Sequence, residues 1–175
     1  QKEGAAVELD ERLLATPSLA LRQCRAVAND MAECAVRALE NALTTFTHYT
    51  PVLADSIRAD EDRCDHYEDV IGTYLVKLSA QKMGEAESEE ATELLKTIGD
   101  LERISDHAVN VLESAEELQA KGLSFSGSAR AELITLSDAI REILSLAETA
   151  FLHQDVEAAM KVEPLEQVID TLKEE

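Results

Sequence analysis

Residues 88–122, SEEATELLKTIGDLERISDHAVNVLESAEELQAKG, decide the fold. Leu94, Ile98, Leu101, Ile104, Ala108, Val111 or Leu112, Ala115 and Leu118 recur at spacings of three and four, the signature of one helical face. Ser88, followed by Glu89 and Glu90, reads as an N-cap with acids at the positive end of the helix. Lys121-Gly122 supplies the stop, because glycine takes the left-handed conformation that ends helices. At ~1.5 Å per residue, the roughly 30 helical residues of this stretch make a rod of about 45 Å that must bury its stripe against other rods.

Working outward, two similar rods precede it. Thr16-Pro17 offers a cap and a proline at the first helical position, and Ala20, Cys24, Val27, Met31, Cys34, Ala38 and Ala42 form a stripe that runs to about His48. Thr50-Pro51 repeats the device for a helix reaching about Met83, with Gly84 as its left-handed stop. Rods of matched length with short connections pack as antiparallel neighbours. Beyond a Ser/Gly break at residues 123–128, a fourth helix carries Leu133, Leu136, Ile140, Ile143, Ala147 and Ala150, and Pro164 kinks or restarts a fifth segment. Ala32-Glu33-Cys34-Ala35 recurs as Ala147-Glu148-Thr149-Ala150, a weak internal repeat. The expected architecture is an all-α, antiparallel long-helix bundle: residues 1–15 a linker or arm, 16–122 a first three-helix unit, 123–175 a second unit without its last helix.

Composition agrees. The 175 residues are 45% hydrophobic but only 3% aromatic, with no Trp, so the core is aliphatic. A formal charge of -20 excludes nucleic-acid binding and direct lipid binding through anionic headgroups, and makes cations the natural small partners. Cys24, Cys34 and Cys64 fall in no metal-binding spacing and read as buried thiols in a reducing compartment. No apolar run is long enough to span a bilayer, and the first residue is Gln. We read the chain as a soluble piece of something longer, whose missing part includes membrane spans.

Chemistry concentrates in acid pairs four residues apart: Glu61 with Asp65, Glu102 with Asp106, and Glu166 with Asp170. Four residues is just over one helical turn, so both carboxylates of a pair share a face and can chelate one hard cation or bridge two. About seven such pairs would arise by chance at this acidity, so a solvated acidic face explains any one of them alone. Geometry separates two from that background. With a fold-back near residue 85, Glu61/Asp65 centre about 22 residues before it and Glu102/Asp106 about 19 after it, at similar height on touching rods. Asn110 and Glu113 extend the edge that Glu102 and Asp106 begin. Four converging carboxylates repel one another unless a cation or protons neutralise them. The histidines, His48, His66, His107 and His153, are scattered and read as surface residues, and no Glu stands three before any of them, which disfavours a ferritin-like di-iron site. No nucleophile motif and no glycine-rich phosphate loop occurs, so no catalytic residue and no organic cofactor is expected.

The run Asp100-Leu101-Glu102-Arg103-Ile104-Ser105-Asp106-His107-Ala108-Val109-Asn110 resembles the D-L-E-R-I-x-D-H-A-x-N signature of PhoU-type domains, which are pairs of three-helix bundles with E/D-x-x-x-D metal motifs. Asp60-Glu61-Asp62-Arg63-Cys64-Asp65 is similar to the companion motif, and residues 163–170, with Glu166 and Asp170, to its second-repeat copy. The resemblance spans residues 16–175 and implies a regulatory, non-enzymatic domain with a divalent or ferric ion (iron, zinc, nickel or magnesium) on Glu61, Asp65, Glu102, Asp106, Glu166 and Asp170. Residues 9–17 and Val162-Glu163-Pro164-Leu165-Glu166 look more like the cytosolic tails of sodium/phosphate cotransporter-related proteins. That implies a transmembrane part of the same polypeptide as partner and a location on the cytoplasmic side of the cell membrane. Separately, the apolar face left where a sixth helix would pack offers a seam for a homodimer. A free-standing PhoU-type regulator of phosphate uptake and a metal-free helical adaptor remain the alternatives.

Overall fold

A computed structural model describes residues 8–122, 133–135, 137–142 and 144–145. Among them every regular element is helical: a 3-10 turn Glu11–Ala15, then α1 Pro17–Thr44, α2 Pro51–Ser79 and α3 Glu85–Ala120. Each of α1, α2 and α3 packs against the other two in an up-down-up bundle, as the matched lengths and short connections require.

Helix ends follow the expected punctuation in part. Pro17 opens α1, and the Thr50 hydroxyl accepts the Leu53 N–H at 3.0 Å to cap α2. Gly122 closes the region after α3 with φ 63°, a conformation only glycine adopts without strain. Elsewhere the ends differ. Rod one ends at Thr44 and rod two at Ser79, short of His48 and Met83. Gly84 is extended, φ −69°, and is the N-cap of α3 in place of Ser88. Glu87 explains the shift: its carboxylate accepts the Gly84 N–H at 3.1 Å, so one orphan donor is satisfied a turn earlier than Ser88 could manage.

The stripe on α1 is buried as expected apart from Val27, which is partly covered, and it is rich in small residues: Ala20, Ala28, Ala35, Ala38 and Ala42 are all fully buried. Small side chains let α1 approach both partners closely. The core then falls into two clusters. One runs from Ala20 and Leu21 through Met31, Cys64, Ile71 and Leu75 to Ile98 and Leu101, and the other gathers Ala38, Ala42, Ile57, Ala108 and Leu112. Two polar side chains, Asp60 and Ser105, are buried at the level between them. Cys24, Cys34 and Cys64 are free and buried, and desolvation pushes the Cys24 and Cys64 thiols up to about 12, far from reactivity.

Residues 8–15, read as an arm, dock on the end of the bundle. Leu9, Leu13 and Leu14 pack against the first cluster, Asp10 donates its N–H to Gln23 Oε1 at 3.1 Å, and the Tyr74 hydroxyl donates to the Asp10 carbonyl at 2.8 Å. Of the fourth expected helix, the described residues are helical, Ser137 and Leu144 are buried, and Arg141 Nη2 donates to Thr44 Oγ1 at 3.2 Å. The break at residues 123–128, Leu136, Ile143, Ala147, Ala150 and the segment around Pro164 lie outside the described residues.

Candidate metal centre

The position of the acidic side chains follows from how α2 is turned. Cys64 is fully buried toward α1 and α3, and Asp60, one turn earlier, is buried to 1%. At about 100° per residue, Glu61, Asp65 and Glu68 then occupy the edge of α2 that borders α3. On α3 the buried residues Leu101, Ser105 and Ala108 play the same role, and Glu102 and Asp106 stand beside them at the α2 border. Glu61 and Glu102 are half-buried, while Asp65 and Asp106 open to solvent.

The three carboxylates Glu61, Asp65 and Asp106 converge, each offering an oxygen within 4.8 Å of the others. Glu102 does not join that group. The reason is the register of α2 on α3: a Cβ at Gly72 would stand 3.7 Å from Ile98 Cδ1, and Arg58 pairs with Glu116 at the other end. Counting inward from those contacts sets Asp65 opposite Asp106 and Glu68 opposite Glu102. Glu102 instead reaches along its own helix to share a hydrogen bond with Asp106, one turn on.

Sequence reasoning missed Glu68. It is half-buried and its carboxyl is pushed upward by desolvation, with the charges of Asp65 and Asp106 adding to the effect. The available signal was its position three residues after Asp65, on the same helical edge. Asn110, expected to extend the acidic edge, lines a different groove with Leu39, Leu43 and His107. Glu113 lies close enough to Arg58 to act on its charge. His66 and His107 are exposed, as expected. Glu166 and Asp170 lie outside the described residues.

Crowding leaves an electrostatic mark. Glu61 is pushed up to about 7 by desolvation first and then by the charges of Asp65, Asp62 and Asp106. Glu102 is also pushed up to about 7, chiefly by the hydrogen bond it shares with Asp106 and then by desolvation. Among the described residues no Lys, Arg or His forms an ion pair with Glu61, Asp65, Glu68, Glu102 or Asp106. The neighbouring acid Asp60 is different: Arg37 and Arg63 neutralise it. Thus cations are spent on Asp60 and withheld from the cluster beside it.

These residues fit a metal ion. The donors are oxygens alone, they come from two rigid helices, and no described residue balances their charge. Oxygen donors of this kind suit hard cations. Glu61, Asp65 and Asp106 would hold the ion, with Glu102 and Glu68 one turn away on either helix.

A family model, the PhoU domain, matches residues 28–115, half of the chain, and covers the cluster and most of all three helices. No curated protein and no solved structure matches the chain. No helix of the described residues is long and apolar enough to cross a membrane.

Proposed function

Because the chain belongs to the PhoU domain family, a family of regulatory helical domains, we propose that it regulates phosphate transport by holding a divalent or ferric cation between α2 and α3. The observation that carries the metal reading is the convergence of Glu61, Asp65 and Asp106 within 4.8 Å, with no balancing Lys, Arg or His among the described residues. An all-oxygen donor set favours magnesium, manganese or ferric iron over zinc and nickel, which prefer imidazole or thiolate. When bound, the ion would supply charge neutralisation, locking α2 to α3 at a point where they otherwise repel. The chain's own residues do the rest: the apolar stripes set the spacing, and the carboxylates set which charge the seam accepts.

In this reading the domain is the cytosolic region of a sodium/phosphate cotransporter-related membrane protein, with residues 16–122 as the first repeat and 123–175 as the start of the second. The transmembrane part of the same polypeptide is its partner. Glu166 and Asp170 belong to the second repeat by motif alone, and a second copy of the chain is a further partner in this reading. The support is the form of residues 9–17 and 162–166 in the sequence. Sequencing upstream of Gln1 tests the membrane context: several apolar spans of about 20 residues are expected.

The metal reading is tested by elemental analysis of protein purified without chelator, together with Asp65→Ala and Asp106→Ala. Near-stoichiometric metal in the wild type, lost in both variants and released by EDTA, is the expected result. Equal, substoichiometric metal in all three proteins removes the site.

A further inference from the structure

The structure assigns to Arg37 of α1 the role of positioning the cluster carboxylates Glu61 and Asp65 of α2, although it is bonded to neither; this rests on the metal reading above. Arg37 grips Asp60 with both arms of its guanidinium, Nε to Oδ2 at 2.9 Å and Nη2 to Oδ1 at 2.8 Å. Nη2 also donates to Cys34 Sγ at 3.3 Å, which ties the arginine back to its own helix. The Asp60 side chain is 2% exposed, so the pair sits against the core at the polar level between the two apolar clusters. Arg63 adds a third bond to Oδ1 at 2.8 Å, but from three residues along the same helix, so it carries no information about how α2 faces its neighbours.

A planar fork closing on a carboxylate fixes direction as well as distance. Asp60 is thereby aimed at α1. At about 100° per residue Glu61, Asp65 and Glu68 stand between roughly 80° and 140° round from Asp60, all on the same side, which is the side of α3. The apolar contacts alone resist rotation of α2 weakly here, because the α1 face is built of small residues, Ala35 and Ala38, with little shape to interlock. The fork supplies the missing rotational stop. Arg37 is a positioning residue: it sets which way the acidic edge of α2 faces, and the three oxygens meet because of it.

Charge and position predict opposite signs, which makes the role separable. Removing the Arg37 charge should, by Coulomb attraction alone, draw a cation more tightly to the neighbouring acids. Loss of positioning should weaken it. The experiment titrates the full chain with Mn2+ as the probe, by electron paramagnetic resonance of the free ion, for wild type, Arg37→Leu, Arg37→Lys and, as a control for lost stability, Leu75→Ala, which is buried about 15 Å along α2 from Asp65. Circular dichroism melts accompany each titration. We expect Arg37→Leu to weaken Mn2+ about tenfold, the scale seen when residues supporting metal ligands are lost. Arg37→Lys, with the charge kept and the fork gone, should weaken it by less, and Leu75→Ala should leave affinity unchanged at a comparable loss of melting temperature. Should Arg37→Leu not fold, Arg37→Lys decides by the same comparison. A wild type that binds Mn2+ beside Arg37 variants that bind as tightly or more tightly overturns this inference alone, as does equal weakening in Leu75→Ala. A wild type that binds no Mn2+ overturns the metal reading and this inference with it.

Discussion

Acidification should stabilise this protein when it is free of metal, and the cluster between α2 and α3 says by how much and over which window. Glu61 and Glu102 titrate near 4.5 when unfolded and are pushed up to about 7 in the fold. Between those values the folded state binds more protons than the unfolded one, so the free energy of unfolding falls as pH rises. The benefit is fully present below about 4.5 and gone above about 7. For an isolated, insulated carboxyl that interval corresponds to ~3 kcal/mol. Both groups are half-exposed and both lean on Asp65 and Asp106, so screening and coupling reduce the joint effect to about 2 kcal/mol. The range from pH 5.5 to pH 8 spans a little over half of that window, so for a chain of this size the melting temperature should be about 2–5 °C higher at pH 5.5 than at pH 8. The assay is a series of thermal melts in EDTA, repeated for the Glu61→Gln/Glu102→Gln double variant, which reports the background from the rest of the acidic surface. The wild type should show the steeper slope, and excess Mn2+ should reverse it, since the cation competes with protons for the same oxygens. A wild type whose melting temperature follows pH no more steeply than the double variant would refute the claim that these carboxylates repel one another in the fold.

Three further outcomes follow from the packing. Gly99 lies inside α3 with open space where a Cβ would go, so Gly99→Ala should raise stability by about 0.5–1 kcal/mol in a urea titration. Leu112 is fully buried in the second cluster, and Leu112→Ala should lower stability by about 2–5 kcal/mol by the same measurement. Tyr74→Phe removes the hydroxyl that holds the Asp10 carbonyl, so amides of residues 9–15 should exchange about fivefold faster while those of α3 are unchanged.

Much of the fold was legible because its causes are local. Apolar spacing marked the stripes, proline marked the starts of α1 and α2, and Gly122 marked the end of α3. Where a second local signal competed, the reading slipped: Glu87 drew the start of α3 back to Gly84, and the hydrogen bond it offers was as visible in the sequence as Ser88. The candidate site was half legible. Glu61, Asp65 and Asp106 came from the spacing of four and a fold-back estimate. Glu68 and the weaker place of Glu102 did not, because a slip of three residues between two helices changes which acids oppose each other, and no local rule counts to that precision.

What the amino-acid order determined alone is therefore the set of rods, their buried faces and the presence of acids along two edges, since helical periodicity and capping act within a few residues. Only the tertiary structure decided that Asp65 stands opposite Asp106, that Arg37 turns Asp60 toward α1, and that no described cation pairs with the cluster beside it. Those outcomes depend on register and rotation between helices, and both are set by side chains tens of residues apart that meet only when the bundle has closed.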